Sequence, residues 1–179
     1  MGLNLVNLDE ITRRYMLEEL ESDINNSRLY ISPRLSVQGR QDYSNLLKET
    51  LRNYDDVWLA NQLRINGRLN ATEQRREPSG GTTIAKVPVN AAEMLAEGEF
   101  NRFYARGLCL RAIAEKIEKV EVYRAKTVKD PRIESERLIG TELDAKTLLN
   151  DLRTNIGVDT ALGLPAGPNS GISVRFKKN

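Results

Sequence analysis

The segment AEGEFNRFYARGLCLRAIAEKI, residues 96–117, decides the fold, because its apolar residues recur at helical spacing over about six turns. Such a stripe predicts a long central helix, over about residues 91–118, that packs along one side against another helix or a sheet. Glycine inside a helix is about 1 kcal/mol less favourable than alanine, so the glycine at position 107 predicts a neighbouring backbone in close contact. The residues of the stripe are Ala96, Phe100, Phe103, Gly107, Leu110, Ala114 and Ile117.

Basic side chains dominate the opposite side of this helix and the segment that follows it. We expect that side to face solvent and, together with basic residues of segment 70–90, to form a basic face. Such a face could bind phosphates or an acidic protein surface. Glutamates are interleaved with the basic residues, which is also typical of an ordinary solvated helix. The candidate binding residues are Arg75, Arg76, Lys86, Arg102, Arg106, Arg111, Lys116, Arg124 and Lys126.

Helical patterns of the same kind occur on both sides of the central helix. Apolar spacing predicts helices over about residues 8–25, 38–53, 55–65 and 143–153. Asn90 and Glu93 have the spacing of a capping box at the start of the central helix, and Asp144 is placed to cap the last one. Alternating β-branched residues predict a strand over 120–128. The fold class is therefore α+β, a helix-dominated single domain over residues 1–179 with a small sheet.

Segment 70–90, NATEQRREPSGGTTIAKVPVN, has no helical pattern and predicts an extended arm or long loop. Its TTIAKVPV part favours a strand, but only at a sheet edge, because it contains Pro88. Residues 163–179 predict a Gly/Pro loop followed by a terminal strand. Ordering a backbone costs about 1–2 kcal/mol per residue, and both segments have few apolar side chains. We therefore expect both to be ordered mainly by contacts with other chains.

Composition limits the classes of protein that this chain can belong to. It has 179 residues, 40% hydrophobic and 29% charged, with a formal net charge of +2, which is typical of a globular domain. No apolar run approaches the roughly 18 residues of a membrane-spanning helix. The first residues lack the basic and apolar regions of a secretion signal. We expect a cytoplasmic or particle-associated protein that is neither secreted nor bound to a membrane.

The chain has no histidine and a single cysteine, Cys109. The missing histidine excludes Ser-His-Asp and Cys-His catalysis and His-ligated zinc. A nucleophilic cysteine needs a lowered pKa and a general base, whereas Leu108 and Leu110 flank this one. We expect Cys109 to act as a small buried apolar residue, and we predict no catalytic residue, metal or cofactor.

Three hypotheses for the function remain open. The leading one is a non-enzymatic structural or assembly subunit of a larger complex, such as a phage particle or another shell, whose partners are other protein subunits. The second is an accessory protein that binds nucleic acid through the basic face. The third is a carboxylate-dependent metal hydrolase or nuclease that uses Glu142, Asp144 and Lys146, although the predicted capping role of Asp144 argues against it.

Overall fold

A computed structural model describes residues 2–78, 80–155 and 170–177 of the chain. The predicted class, a helix-dominated α+β domain with one long helix, is confirmed. The helices are α1 (Glu10–Asn25), α2 (Val37–Asn53), α3 (Asp56–Arg64), α4 (Ala91–Ala114), α5 (Ile133–Leu138) and α6 (Ala145–Thr154). The strands are β1 (Thr72–Arg76), β2 (Thr82–Lys86), β3 (Lys119–Arg124), β4 (Glu142–Asp144) and β5 (Ile172–Arg175).

The central helix α4 is surrounded by other elements, because α1, α3 and α6 all pack against it. The predicted stripe is buried at Ala96, Phe100 and Phe103, whereas Ala114 is exposed. The helix ends at Ala114, four residues before its predicted end. The opposite side was expected to face solvent, and that prediction is wrong for Arg102 and Arg106, which are buried as well. A helix with neighbours on several sides leaves no continuous solvated face.

The glycine at position 107 is a point of close contact between α1 and α4. A Cβ atom at Gly107 would lie 2.7 Å from the backbone nitrogen of Met16 and 3.1 Å from its Cα. Both distances are shorter than a normal carbon contact, about 3.5–4.0 Å. The predicted close approach of a neighbouring backbone is therefore confirmed, and the neighbour is α1.

Side-chain caps fix the starts of several helices. Asp9, Ser36, Asp55 and Asp144 each accept a hydrogen bond from a backbone N–H in the first turn of α1, α2, α3 and α6. The predicted cap at Asp144 is confirmed. The predicted capping box at Asn90 is wrong, because the Asn90 side chain makes no capping hydrogen bond. Instead, the N–H of Ala91 donates to the carbonyl of Pro88 at 3.0 Å.

A three-stranded antiparallel sheet, ordered β4-β3-β5, closes the other side of the core. This sheet contributes the fully buried side chains of Val120, Val122 and Val174 to the core. The predicted strand 120–128 ends earlier, at Arg124. The C-terminal strand pairs with β3 of its own chain, so the expectation that other chains order it is wrong. The preceding loop, predicted from residue 163, lies outside the described residues as far as residue 169.

Segment 70–90 contains a two-stranded hairpin in place of the predicted irregular arm. β1 and β2 pair antiparallel, from Thr72 opposite Lys86 to Arg76 opposite Thr82. Nearly all of their side chains are exposed. At the hairpin base, the N–H of Asn70 donates to the carbonyl of Arg34 at 2.9 Å. The TTIAK strand was predicted, whereas β1 was not.

We predict that Gly107→Leu lowers the free energy of unfolding by about 3 kcal/mol or more, because the new side chain would force α1 away from α4. Ala114→Leu is the matched control, since it enlarges an exposed residue of the same helix and should change stability by less than about 0.5 kcal/mol. Urea denaturation followed by circular dichroism measures both. Equal stability of the two variants would contradict the close contact at Gly107.

Candidate functional site

Arg106, a member of the predicted basic face, is a buried structural residue. Its side chain is fully enclosed between α1 and α4. Its guanidinium donates from Nε to a carboxylate oxygen of Glu19 at 2.7 Å, and from Nη1 and Nη2 to Asp23 at 2.6 and 2.9 Å. The bond to Asp23 is bidentate, the strongest common geometry for an arginine and a carboxylate. Arg106 is thus unavailable to an external polyanion in this fold.

Glu19 extends this network to a third helix. Arg153 of α6 donates from Nε to the same Glu19 carboxylate at 3.0 Å. Burial by itself raises the pKa of Glu19, but the hydrogen bonds and charges of Arg153 and Arg106 outweigh burial and lower that pKa below its ordinary value. Glu19 is therefore ionised at neutral pH, and its charge holds α1, α4 and α6 together. We call Glu19, Asp23, Arg106 and Arg153 the buried ion network.

Arg102 also lies in the core, next to a carboxylate of its own helix. It forms an ion pair with Glu99, one turn earlier in α4, and both side chains are buried. Burial raises the pKa of Glu99 even though Arg102 lies beside it. Nε and Nη1 of Arg102, and the hydroxyl of Tyr43, have no hydrogen-bond partner among the described residues. An unsatisfied buried donor costs about 1–3 kcal/mol, so this pair stabilises the core less than the buried ion network does.

Three more members of the predicted face are held by ion pairs within the chain. Arg111 donates to Asp9 and Glu115 at 2.7 Å. Arg124 pairs with Glu136 and donates to the carbonyl of Ser170 at 2.7 Å. Lys126 pairs with Glu97. A phosphate would have to compete with these carboxylates for each side chain.

The remaining basic candidates are exposed, and they belong to different elements. Arg75, Arg76 and Lys86 are on the hairpin, which precedes the start of α4. Lys116 follows the end of α4, where its φ is +60°. The two groups are therefore on different elements, before and after the 24 residues of α4. Since Arg102 and Arg106 are buried, the basic residues singled out from the sequence do not form one continuous exposed face.

The carboxylate–lysine group proposed for metal chemistry has structural roles. Glu142 forms ion pairs with Lys177 at 2.5 Å and Lys119 at 3.6 Å. Asp144 accepts hydrogen bonds from the N–H and hydroxyl of Thr147, both at 2.7 Å. The ion pair with Lys177 lowers the pKa of Glu142, and the bonds from Thr147 lower that of Asp144. Within the described part of the chain, no cluster of three or more His, Cys, Asp or Glu side chains could hold a metal ion.

Cys109 is fully buried, and burial raises the pKa of its thiol to about 12. The thiol is therefore protonated at neutral pH and unreactive as a nucleophile. This agrees with the expected role of a small apolar core residue.

The hairpin offers a different kind of site, made of backbone groups. The N–H of Val87 donates to the carbonyl of Ala71 at 3.0 Å, and that of Glu77 to the carbonyl of Gly81 at 2.8 Å. Hydrogen-bonded pairs alternate along an antiparallel ladder. Thr82, Ile84 and Lys86 therefore direct their N–H and C=O groups away from β1. We call these outward groups the β2 edge, and no other strand pairs with it in the described residues.

The other edge of the hairpin is partly covered. Leu35 forms a β-bridge with Leu69, so the segment before α2 lies beside the chain that leads into β1. Arg34 then reaches along β1 and donates from Nε to Glu73 at 2.6 Å. The β2 edge is accordingly the more accessible of the two. The sequence predicted that this strand lies at a sheet edge, but not which strand it pairs with, because β1 carries no strand pattern of its own.

Exposed apolar side chains accompany the β2 edge. Ile84 is 74% exposed, and Val89, just after the hairpin, is 98% exposed. Exposed apolar side chains next to unpaired strand groups are typical of a protein-interaction site.

Comparison with known proteins adds no assignment. No family model matches this sequence, and neither the curated proteins nor the solved structures give a match. None of the helices in the described ranges is long and apolar enough to cross a membrane.

We predict that Arg106→Met lowers the free energy of unfolding by about 3–5 kcal/mol at pH 7, because it leaves Glu19 and Asp23 buried without their shared cation. The arginines hold the pKa of Glu19 below its ordinary value of 4.5, so the wild-type protein keeps this stabilisation above pH 4.5 and loses it as the pH falls further. The difference between variant and wild type should therefore be smaller at pH 4 than at pH 7.

Denaturation in urea at both pH values measures these differences. The control is the triple variant Glu19→Gln, Asp23→Asn, Arg106→Met, which removes all three charges together and should be more stable than Arg106→Met alone. A single variant as stable as the wild-type protein would show that the buried ion network does not hold the helices together.

Proposed function

We propose that this chain is a non-enzymatic structural subunit that acts through protein–protein contacts in a larger assembly, such as a shell. The observation that carries the proposal is the β1–β2 hairpin. It is exposed on both faces and has an unpaired β2 edge with Ile84 in its centre. Addition of a strand from another chain is a common way for proteins to bind such an edge.

The energetics of the hairpin support this proposal. A two-stranded hairpin by itself is at best marginally stable in water, and the apolar side chains of this one are largely exposed. Its base is held by the pairing of Leu35 with Leu69 and by the ion pair between Arg34 and Glu73. Contacts with another chain would add backbone hydrogen bonds along β2 and bury the Ile84 side chain. The hairpin would thus be stabilised in an assembly by contacts that an isolated domain lacks.

The alternatives have less support from the geometry. Nucleic-acid binding would now depend on the three exposed basic residues of the hairpin, Arg75, Arg76 and Lys86, of which Arg75 is paired with Glu73. Metal-dependent hydrolysis would require Glu142 and Asp144 to leave the ion pairs and the helix cap that they form.

We predict that shortening the hairpin abolishes assembly without unfolding the core. Replacing residues 74–84 by Asn-Gly joins Glu73 to Ala85, which face each other as a hydrogen-bonded pair. Asn-Gly is the preferred two-residue turn between such positions. The shortened chain should sediment as a monomer at concentrations where the full chain is oligomeric, and its helical circular dichroism should be retained.

The control is a full-length chain with Arg75→Ser and Arg76→Ser, which keeps the β2 edge. It should still assemble, but it would lose affinity for a DNA duplex if the hairpin bound nucleic acid, with a smaller dependence on salt. A full-length chain that stays monomeric at about 200 μM, or a shortened chain that assembles normally, would contradict the proposed function.

Assembly should also protect the hairpin from proteolysis. Trypsin cleaves after Arg75 and Arg76, both exposed in β1, once the hairpin opens locally. We predict that cleavage at these two sites becomes slower as the protein concentration is raised through the range in which oligomers form. Cleavage after the exposed Lys146 of α6 serves as the internal reference. A constant ratio of the two cleavage rates would contradict protection by another chain.

A further inference from the structure

We infer that the β2 edge pairs antiparallel with β2 of a second copy of this chain, about a two-fold axis at Ile84. The inference rests on the proposed function and names its partner. The result is a four-stranded sheet in the order β1-β2-β2-β1, which leaves neither copy with an open β2 edge. Two-fold dimers are the commonest symmetric assembly, and they require a surface that is complementary to itself.

The backbone pattern of β2 fits this axis. The outward N–H and C=O groups belong to Thr82, Ile84 and Lys86, as the ladder with β1 requires. An axis at Ile84 sets this residue opposite its own copy, and Thr82 opposite Lys86 of the second copy. All three outward residues then form hydrogen-bonded pairs, and each such pair exchanges two hydrogen bonds.

Charge and backbone shape favour an axis at Ile84 over one at either of the other two outward residues. Lys86 is the single charged residue of β2, and the axis at Ile84 sets it opposite the uncharged Thr82. An axis at Lys86 would set two ammonium groups opposite each other, which is destabilising. An axis at Thr82 would set Ile84 opposite Gly80, whose φ of +90° departs from an extended strand.

Size and shape fit the same register. Continued beyond the strand, it sets Val87 of one copy opposite Gly81 of the other, which has no side chain to obstruct it. Pro88, which lacks an N–H, falls opposite Gly80, where the extended backbone of the other copy ends. The turn of each hairpin thereby lies beside the base of the other, next to the exposed Val89. The paired segment therefore ends at the same residues, Gly80 and Pro88, in both copies.

The β1 edge is the alternative surface for a second copy, and it is less suitable. The segment that contains Arg34 and Leu35 lies beside the start of this strand. Glu73 and Arg75, which an axis at Gln74 would pair between copies, already form ion pairs with Arg34 and with each other. A β1 dimer would therefore gain little from charge, while Ile84 would remain exposed.

Chemical crosslinking of Ile84→Cys with a short bismaleimide tests the axis. The Cα atoms of a hydrogen-bonded antiparallel pair are about 5.5 Å apart, and its Cβ atoms are farther apart than a relaxed disulfide requires, so a short thiol-reactive linker suits this pair better than a disulfide. With this reagent, most of the variant should become a covalent dimer at low micromolar concentration. Gln74→Cys, on the same face of β1, is the matched control and should stay monomeric. Cys109 can be kept, because it is fully buried.

Ile84→Lys tests the same axis without a crosslink. It places two positive charges opposite each other on the axis, at a side chain that makes no contribution to the core. We expect the dimer dissociation constant, measured by analytical ultracentrifugation, to rise at least tenfold. The loss of affinity should be smaller in high salt, which screens the repulsion. Ile84→Thr, which keeps a β-branched residue of high strand propensity, should dimerise within a few-fold of the wild-type chain.

The outcomes separate this inference from the proposed function. Crosslinking of Ile84→Cys but not of Gln74→Cys supports the two-fold axis. If Gln74→Cys crosslinks as readily, or if Ile84→Lys dimerises normally, the axis is wrong. If the shortened hairpin abolishes assembly while Ile84→Cys does not crosslink, the hairpin binds a different surface, and the proposed function stands without this inference. A wild-type chain that is monomeric throughout overturns both.

Discussion

The fold depends on a buried guanidinium, that of Arg106, which lies between two carboxylates of α1. A charge of this kind is tolerated in a core only when its hydrogen-bonding groups are paired, because the desolvation of an ion is unfavourable by several kcal/mol. Glu19 and Asp23 provide that pairing, and Arg153 balances the remaining charge. The arrangement fixes the rotation of α1 about its own axis, because the two carboxylates are four residues apart and share one face of the helix.

Gly107, the neighbour of Arg106 in sequence, sets the distance between the same two helices. Its missing side chain lets the backbone of α1 approach at Met16, and Met16, Glu19 and Asp23 follow one another at helical spacing. The apolar contact and the ion network are therefore parts of one interface. A wider separation would draw the carboxylates away from the guanidinium, while a rotated α1 would direct them to solvent and leave Arg106 unpaired. Either change would be opposed by both interactions.

Of the six helices in the described residues, the sequence predicted five, because apolar spacing is a local signal, and it missed the short α5. It could not distinguish buried arginines from solvated ones, since the partners of Arg106 lie 87 and 83 residues away in the chain. A periodic pattern shows which side of a helix is apolar, but a charged residue on the other side can still be enclosed by a third element. The strand β1 was missed for a related reason: TEQRR has no strand pattern of its own and is extended because it pairs with β2. Of the candidate site, the sequence predicted the strand and its place at a sheet edge, from Pro88, but not the strand beside it.

Most of the basic side chains proposed as a binding face form ion pairs with carboxylates of the same chain. They therefore offer little unpaired charge to a partner. The hairpin differs, because its unsatisfied groups are backbone N–H and C=O groups and its apolar side chains are exposed. Side-chain ion pairs cannot satisfy a row of backbone groups along a strand; a second strand can. Natural proteins usually protect such edges with charges, prolines or a covering segment. Here β1 has two arginines and the segment near Arg34, whereas β2 has a single lysine at its end and isoleucine at its centre. The two edges of the hairpin therefore differ: the β1 edge is protected from pairing with another strand, whereas the β2 edge remains able to pair.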